Sequence, residues 1–279
     1  MYNWKKGIAT WIVHRTLYIS VPFTWLMPEA ERLREAWLEK NRRNKALIGG
    51  PGTMQPSECP GFEPLLFHNP CATFTTRGCV NNCKFCAVPK LEPEFIELPT
   101  WRPAPLICDN NLLASSFKHI ERVIESCKHF DLVDFNQGLE AKRFTPEIAD
   151  LFGTIRCKIR FAFDHWGEET EVHDAIKLCR ERTTANITVY CLIGFNDTPE
   201  DARARLELIH SWKAETAPMR YQPIDGEYSL RKNSYVAPGW TEAELQRMTR
   251  YYFRQSAFRH IPYEEFDVRI PDEQGMFNL

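Results

Sequence analysis

Six short β-prone runs, separated by amphipathic helical stretches, constrain this chain more than any other feature. The runs lie at 71–75, 105–108, 132–135, 159–163, 187–193 and 219–222. Helical periodicity covers 115–129, 146–152, 168–182 and 199–213 between them. Two of these helices open on Thr-Pro-Glu, at Thr145-Pro146-Glu147 and Thr198-Pro199-Glu200, an N-cap followed by proline at the first helical position. Thr241 with Glu244 forms a capping box that predicts a last helix reaching about Arg259. Strands alternating with helices require right-handed crossovers and a parallel sheet, either open or curled into a partial or full barrel. The expected fold class is therefore α/β.

The first 60 residues read differently. A run over 17–21, a helix over 29–43 and a run over 46–48 make one βαβ-like unit. The stretch 54–69 holds three prolines and is expected to be a loop crossing to the next strand. This divides the chain into an N-terminal extension (1–69), a central βα unit (70–225) and a C-terminal helical extension (226–279). The expected location is cytoplasmic. No apolar run approaches the ~18 residues a membrane helix needs, and Lys5, Lys6, His14 and Arg15 interrupt the N-terminal stretch that an export signal would occupy.

Ten cysteines are many for such a compartment, where disulfides are rare and thiols serve metals or redox chemistry. The informative segment is Thr75-Thr-Arg-Gly-Cys79-Val-Asn-Asn-Cys83-Lys-Phe-Cys86. Its C-x3-C-x2-C spacing follows directly on a strand, in a loop that Gly78 lets turn sharply. Such a loop can wrap three thiolates around one corner of an iron–sulfur cube, which takes Cys thiolates and usually four of them. With three, one iron stays open to another ligand, as in catalytic metal sites. The competing reading is a structural zinc completed by Cys71 or His68, against which stands the lack of a second C-x2-C pair. The other seven cysteines (59, 71, 108, 127, 157, 179 and 191) are scattered, as expected of core-packing thiols.

This loop, on the first of six βα units, resembles that of the radical S-adenosylmethionine (radical SAM) superfamily. The likeness covers about residues 70–225 and includes an aromatic residue, Phe85, just before the third cysteine. It implies a partial (β/α)6 TIM-type barrel in which Cys79, Cys83 and Cys86 hold a [4Fe–4S] cluster. It further implies that the open iron binds S-adenosylmethionine and that a flavodoxin- or ferredoxin-type donor supplies one electron. Cofactor-binding positions carried over are Phe85, Asp109 and Asn110 (where many members have a Gly-Gly-Glu-like element), Asn136 after the third strand, Arg160 in the fourth, and Ile193 and Gly194 ending the fifth. Glu140, Asp164 and His165 are the candidate catalytic groups. Active residues of βα barrels collect at strand C-termini, where these positions fall.

The N-terminal unit is similar to part of the cobalamin-binding domain attached to many radical SAM enzymes. It is too short for that doubly wound domain and holds no Asp-x-His-x-x-Gly stretch, so it is read as a truncated flank. The substrate is less constrained. Arg247, Arg250 and Arg254 fall on one helical face with Tyr251, Tyr252 and Phe253 interleaved, and the first 50 residues carry nine basic and four acidic side chains. Basic stripes can follow phosphates and aromatics can stack bases, while a solvated helix packing its aromatics inward explains the same pattern. The net charge of −2 provides no global field for nucleic acid. The leading expectation is a rearrangement or C–C bond formation on a modified nucleotide or DNA base, resembling the isomerases of phage thymidine hypermodification. Alternatives are a radical SAM enzyme acting on a small metabolite or peptide, including methyl transfer, and an iron–sulfur sensor without turnover.

Overall fold

The computed structural model describes residues 4–55, 63–253 and 260–266. Cys59 and Arg254, named above, lie outside the described residues, as does the last helix beyond 253. Near the N-terminus, β1 (Ala9–Val13) and β2 (Thr16–Ser20) form an antiparallel hairpin. Helix α1 (Met27–Lys40) then crosses to β3 (Lys45–Gly49), which pairs parallel to β2. The expected βαβ unit is present, with β1 as an added edge strand. Its small core gathers Leu17, Ile19, Val21 and Ala30. The stretch expected as a loop contains a short helix, α2 (Pro64–His68), started by Pro64 at its first position.

Next come β4 (Ala72–Thr73), β5 (Thr76–Arg77), α3 (Val88–Leu91), β6 (Ile96–Glu97), β7 (Leu106–Ile107), α4 (Phe117–Cys127), β8 (Val133–Phe135), α5 (Pro146–Phe152), β9 (Cys157–Ala162), α6 (Glu169–Arg182), β10 (Asn186–Ile193), α7 (Pro199–Ser211), β11 (Glu215–Arg220) and α8 (Glu242–Phe253). Six strands form one parallel sheet in the order β11-β10-β9-β8-β7-β4, and β5 pairs with β6 as a separate two-stranded ribbon. The order follows the chain without reversal. Right-handed crossovers in one direction place every intervening helix on the same side of the sheet, so its other side is left for ligands.

The strands show this division residue by residue. Along β9, Cys157, Ile159 and Phe161 are buried while Lys158, Arg160 and Ala162 are half-buried. The buried set joins Val133, Phe135, Val189, Cys191, Val172, Ile176, Leu206 and Ile209 in the main core between sheet and helices. Each fully buried Ile or Phe there contributes about 2–3 kcal/mol of apolar transfer. Among the described residues no helix is long and apolar enough to cross a membrane.

Helix α8 covers the outer strand β11 and buries Leu245, Met248, Tyr251 and Tyr252. Tyr251 donates its hydroxyl to the Ile261 carbonyl at 2.9 Å, and Tyr252 donates to Glu207. These two tyrosines pack the core, in keeping with the reading of a solvated helix that turns its aromatics inward and against base stacking by them. The physical reason is position: Met248 lies three and four residues before Tyr251 and Tyr252, and Leu245 seven before Tyr252, so the four share one apolar stripe.

Candidate functional site

All six parallel strands end at one edge of the sheet, and the cysteine loop leaves from the end of β4. Two anchors hold it. Asp109, beyond β7, is buried and accepts hydrogen bonds from the Thr75 amide at 2.5 Å, the Thr76 amide at 2.8 Å and the Thr75 hydroxyl. Glu92 reaches back to accept from the Gly78 amide at 2.8 Å, from Asn110 Nδ2 at 3.1 Å and from Arg77. Gly78 has φ +73, and a Cβ there would stand 2.0 Å from the Glu94 carbonyl oxygen, so only glycine fits the turn.

Between these anchors the three thiols are half-buried and share donors directed at sulfur. The Asn81 amide and Asn111 Nδ2 donate to Cys79 Sγ at 3.4 and 3.6 Å, and the Val88 amide donates to Cys86 Sγ at 3.5 Å. Burial raises the Cys83 thiol to about 11, and the charges of Cys86 and Cys79, then Asp164 and Glu168, add to that. Burial is also the main reason the Cys86 thiol is raised. Three thiols in one loop, with N–H donors at Cys79 and Cys86, fit a cationic metal group. Among the described residues, no three His, Cys, Asp or Glu side chains gather as one ion would need. The donor set, three thiols of one loop with N–H groups aimed at Cys79 and Cys86, fits an iron–sulfur cluster, which takes Cys thiolates.

The expected cofactor and catalytic residues separate into three groups. Phe85, Asn110, Glu140 and Asp164 stand close to the thiols or their anchors. Phe85 meets Phe195 with ring centroids 5.5 Å apart. Glu140 accepts from Asn111 Nδ2 at 2.7 Å, the same amide that reaches Cys79, and pairs with Arg143 at 2.7 Å and Lys142 at 2.8 Å. Burial opposes ionisation of Glu140, but the Lys142, Asn111 and Arg143 contacts outweigh it and carry its carboxyl below the usual range. Asn136 sits half-buried just past β8, with its carbonyl accepting from the Tyr190 hydroxyl at 2.9 Å. Gly194, at φ +78, donates its amide to Asp197 at 3.0 Å where β10 ends.

The second group is committed elsewhere. Both Asp109 oxygens are taken by the threonine pair, so this residue shapes the loop. Arg160 lies within β9, forks onto the Asp134 carboxylate and donates to the Phe135 carbonyl at 3.1 Å. Ile193 is fully buried in the core shared with the helices. In the third group is His165, whose side chain is 67% exposed and which caps the turn at Trp166–Glu168 with Glu168. These placements depart from the expected cofactor roles of Asp109, Arg160 and Ile193 and the catalytic role of His165. Strand-end position alone does not separate a side chain aimed at the site from one spent on the fold.

Asp164 differs from its neighbour. Its carboxylate accepts from the Leu192 amide at 3.0 Å, while its own amide donates to Glu168 at 2.7 Å. Burial first, and the Glu168 charge second, raise its carboxyl to about 6. A raised carboxyl pKa adds stability that is full below the unfolded value of about 3.9 and is lost as pH rises through 6. Urea unfolding of the metal-free protein is expected to show a component on the order of 2 kcal/mol that favours pH 4 over pH 7. Asp164→Asn removes this component; an unchanged pH profile in that variant would show that another group titrates.

Sequence reasoning missed Glu92 and Asn111 as loop supports. Glu92 sits 14 residues from the amide it holds, and only a prediction of the β5–β6 ribbon would have brought the two together. No family model and no curated protein matches this chain. Among solved structures it is similar to the radical S-adenosylmethionine methyltransferase TsrM from Kitasatospora setae with cobalamin and a [4Fe–4S] cluster bound. That match has 16% identity and a TM-score of 0.45, over 60% of this chain and 41% of that one. The same protein with tryptophan substrate and the analogue aza-SAM matches at 16% identity and TM-score 0.43, over 57% and 37%. The chain thus spans less than half the length of the protein it matches.

Proposed function

We propose that this chain is a radical SAM enzyme, with its sequential parallel sheet curled as a partial (β/α)6 barrel. The observation that carries the reading is the C-x3-C-x2-C loop itself: three half-buried thiols at the strand ends, with N–H groups aimed at Cys79 and Cys86. Cys79, Cys83 and Cys86 would hold the [4Fe–4S] cluster. Bound there, such a cluster would supply the one-electron reduction that radical chemistry on S-adenosylmethionine needs.

The chain's own work is binding, orientation and exclusion of water. Asn110, Asn136 and Glu140 offer amide and carboxylate groups beside the loop for the polar end of the cofactor. The Phe85–Phe195 contact supplies an apolar wall that keeps water from the reacting atoms. Asp164, with its carboxyl near neutrality in pKa, can hold or release a proton at the same edge. A flavodoxin- or ferredoxin-type donor fits the need for one electron at a time.

The test is anaerobic reconstitution with iron and sulfide, addition of S-adenosylmethionine and dithionite, and mass-spectrometric measurement of 5′-deoxyadenosine. Formation of that product is expected. A protein loaded with a cluster that yields none would instead be a sensor.

A further inference from the structure

The root of the cysteine loop is tied to more than Asp109. Thr75 gives its one hydroxyl proton to Asp109, so His119, whose Nε2 lies 3.2 Å from the same oxygen, must donate to it. His119 stands in the first turn of α4 and is 1% exposed. Its other nitrogen, Nδ1, faces a Glu97 oxygen at 3.7 Å and has no hydrogen-bond partner among the described residues. A neutral imidazole carries a single N–H. With that proton spent on Thr75, Nδ1 turns a lone pair toward a carboxylate.

Glu97 is held in its charged form. Burial opposes this, but the Ser116 amide at 2.5 Å and hydroxyl at 3.0 Å carry its carboxyl below the usual range. The other charged groups facing His119 are Asp109, across Thr75, and Arg122, one turn further along α4. Arg122 is drawn away, onto the Pro99 carbonyl at 2.7 Å and over the Trp101 ring at 4.8 Å.

One further proton resolves the conflict. Held on His119, it gives Nδ1 an N–H toward Glu97 while Nε2 still serves Thr75. Held on Asp109, it reverses both bonds at Thr75: the carboxyl donates to the hydroxyl, the hydroxyl donates to Nε2, and Nδ1–H again faces Glu97. The proton count is the same in both, so the proton belongs to the pair. Burial favours the second arrangement, since it raises the Asp109 carboxyl and lowers the His119 imidazole. Without the proton, every arrangement leaves one buried nitrogen facing lone pairs.

We propose that Asp109, Thr75, His119 and Glu97 share one proton, and that this proton fixes the root of the cysteine loop, making His119 a positioning residue for the three thiols. The Leu98 amide donates to the Thr75 carbonyl at 2.9 Å, and Thr76 pairs with Glu97 across the β5–β6 ribbon, so a shift at His119 reaches the strand that leads into Cys79. The sign follows from linkage. The folded chain keeps a proton that unfolded Asp and His release, so the anchor is complete at low pH and loosens as pH rises. The purpose of the arrangement rests on the radical SAM reading, but the shared proton does not.

The experiment follows hydrogen-exchange protection of the Thr75 and Thr76 amides, both bonded to Asp109, by NMR of the full chain. It spans about pH 5 to 9, around the range in which histidine protons are released. Protection in the unsubstituted chain is expected to fall about tenfold as pH rises, the effect of one buried group losing its partner. Glu97→Gln offers an amide N–H to Nδ1, which removes the need for the extra proton. That variant is expected to stay protected throughout. His119→Gln keeps a donor for Thr75 but holds no shared proton, and its protection is expected to be low at every pH. After reconstitution, the unsubstituted chain is expected to lose iron to a chelator faster than Glu97→Gln at high pH and equally at low pH. Protection that is flat with pH in the unsubstituted chain, or a fall that persists in Glu97→Gln, overturns the shared proton. Equal iron loss at every pH, with amides that respond, overturns the positioning role. Exchange is read without cluster or cofactor, so a pH-dependent anchor in a protein that forms no 5′-deoxyadenosine would overturn the radical reading alone.

Discussion

Replacing any one of Cys79, Cys83 or Cys86 with alanine is expected to abolish 5′-deoxyadenosine formation and to strip most of the iron from reconstituted protein. In the proposed cluster each thiolate would bind its own iron, so none could deputise for another. Losing a group that merely orients a metal ligand already costs roughly 10- to 100-fold; losing a ligand should exceed that. The loop itself survives the change, because its shape rests on Asp109, Glu92 and Gly78 and not on the sulfurs. Far-ultraviolet circular dichroism should therefore match the unsubstituted chain. Cys127→Ala and Cys179→Ala are the controls. Both thiols are fully buried in the core against helix neighbours, and both variants should keep their iron and their product. Retained turnover in any of the three loop variants would remove the cluster assignment.

Much of this architecture was readable from local rules. Thr145 and Thr198 accept from the amides of Ile148 and Asp201, as their Thr-Pro-Glu openings predict, and Thr241 and Glu244 complete their capping box. All six central runs overlap strands of the sheet, the last by only Met219 and Arg220 because β11 begins earlier, at Glu215. What escaped lacks a local signal. The β1–β2 hairpin turns on His14 and Arg15, both at positive φ, where Asn-Gly would be the recognisable pair. The β5–β6 ribbon has only two residues per strand, too few for any period to register. At the site, the cysteine spacing was legible because all three thiols lie within one eight-residue stretch of a single loop, Cys79 to Cys86. The roles of Asp109 and Arg160 were not: a carboxylate at a strand end reads the same whether it faces a ligand or two threonine amides.

Arg205 shows how far a residue can stand from its helical reading. In sequence it is one more charge on α7, yet it is 2% exposed and spans two strand ends. Its guanidinium donates to the Phe163 carbonyl at 3.0 Å, to Cys191 Sγ at 3.1 Å and to the Leu192 carbonyl at 2.9 Å, and it pairs with Asp197 at 2.6 Å. Asp197 in turn accepts from the amides of Gly194 and Phe195 at 3.0 and 3.1 Å. Arg205→Met is expected to destabilise the protein by about 3–5 kcal/mol, since it leaves a buried carboxylate and two carbonyls without their donor. Against a total of roughly 5–15 kcal/mol this is severe. Arg205→Lys should recover only part, because one ammonium cannot reproduce the fork. Adding Asp197→Asn to Arg205→Met should restore some of the loss by removing the stranded charge, giving a favourable coupling in a double-mutant cycle followed by urea unfolding. Losses below about 1 kcal/mol would mean that water replaces the guanidinium there. The consequence reaches the cysteines: Asp197 fixes the backbone of Phe195, Phe195 packs on Phe85, and Phe85 lies between two of the three ligands. A charge buried under the helix layer thereby holds the wall against which the cofactor would react.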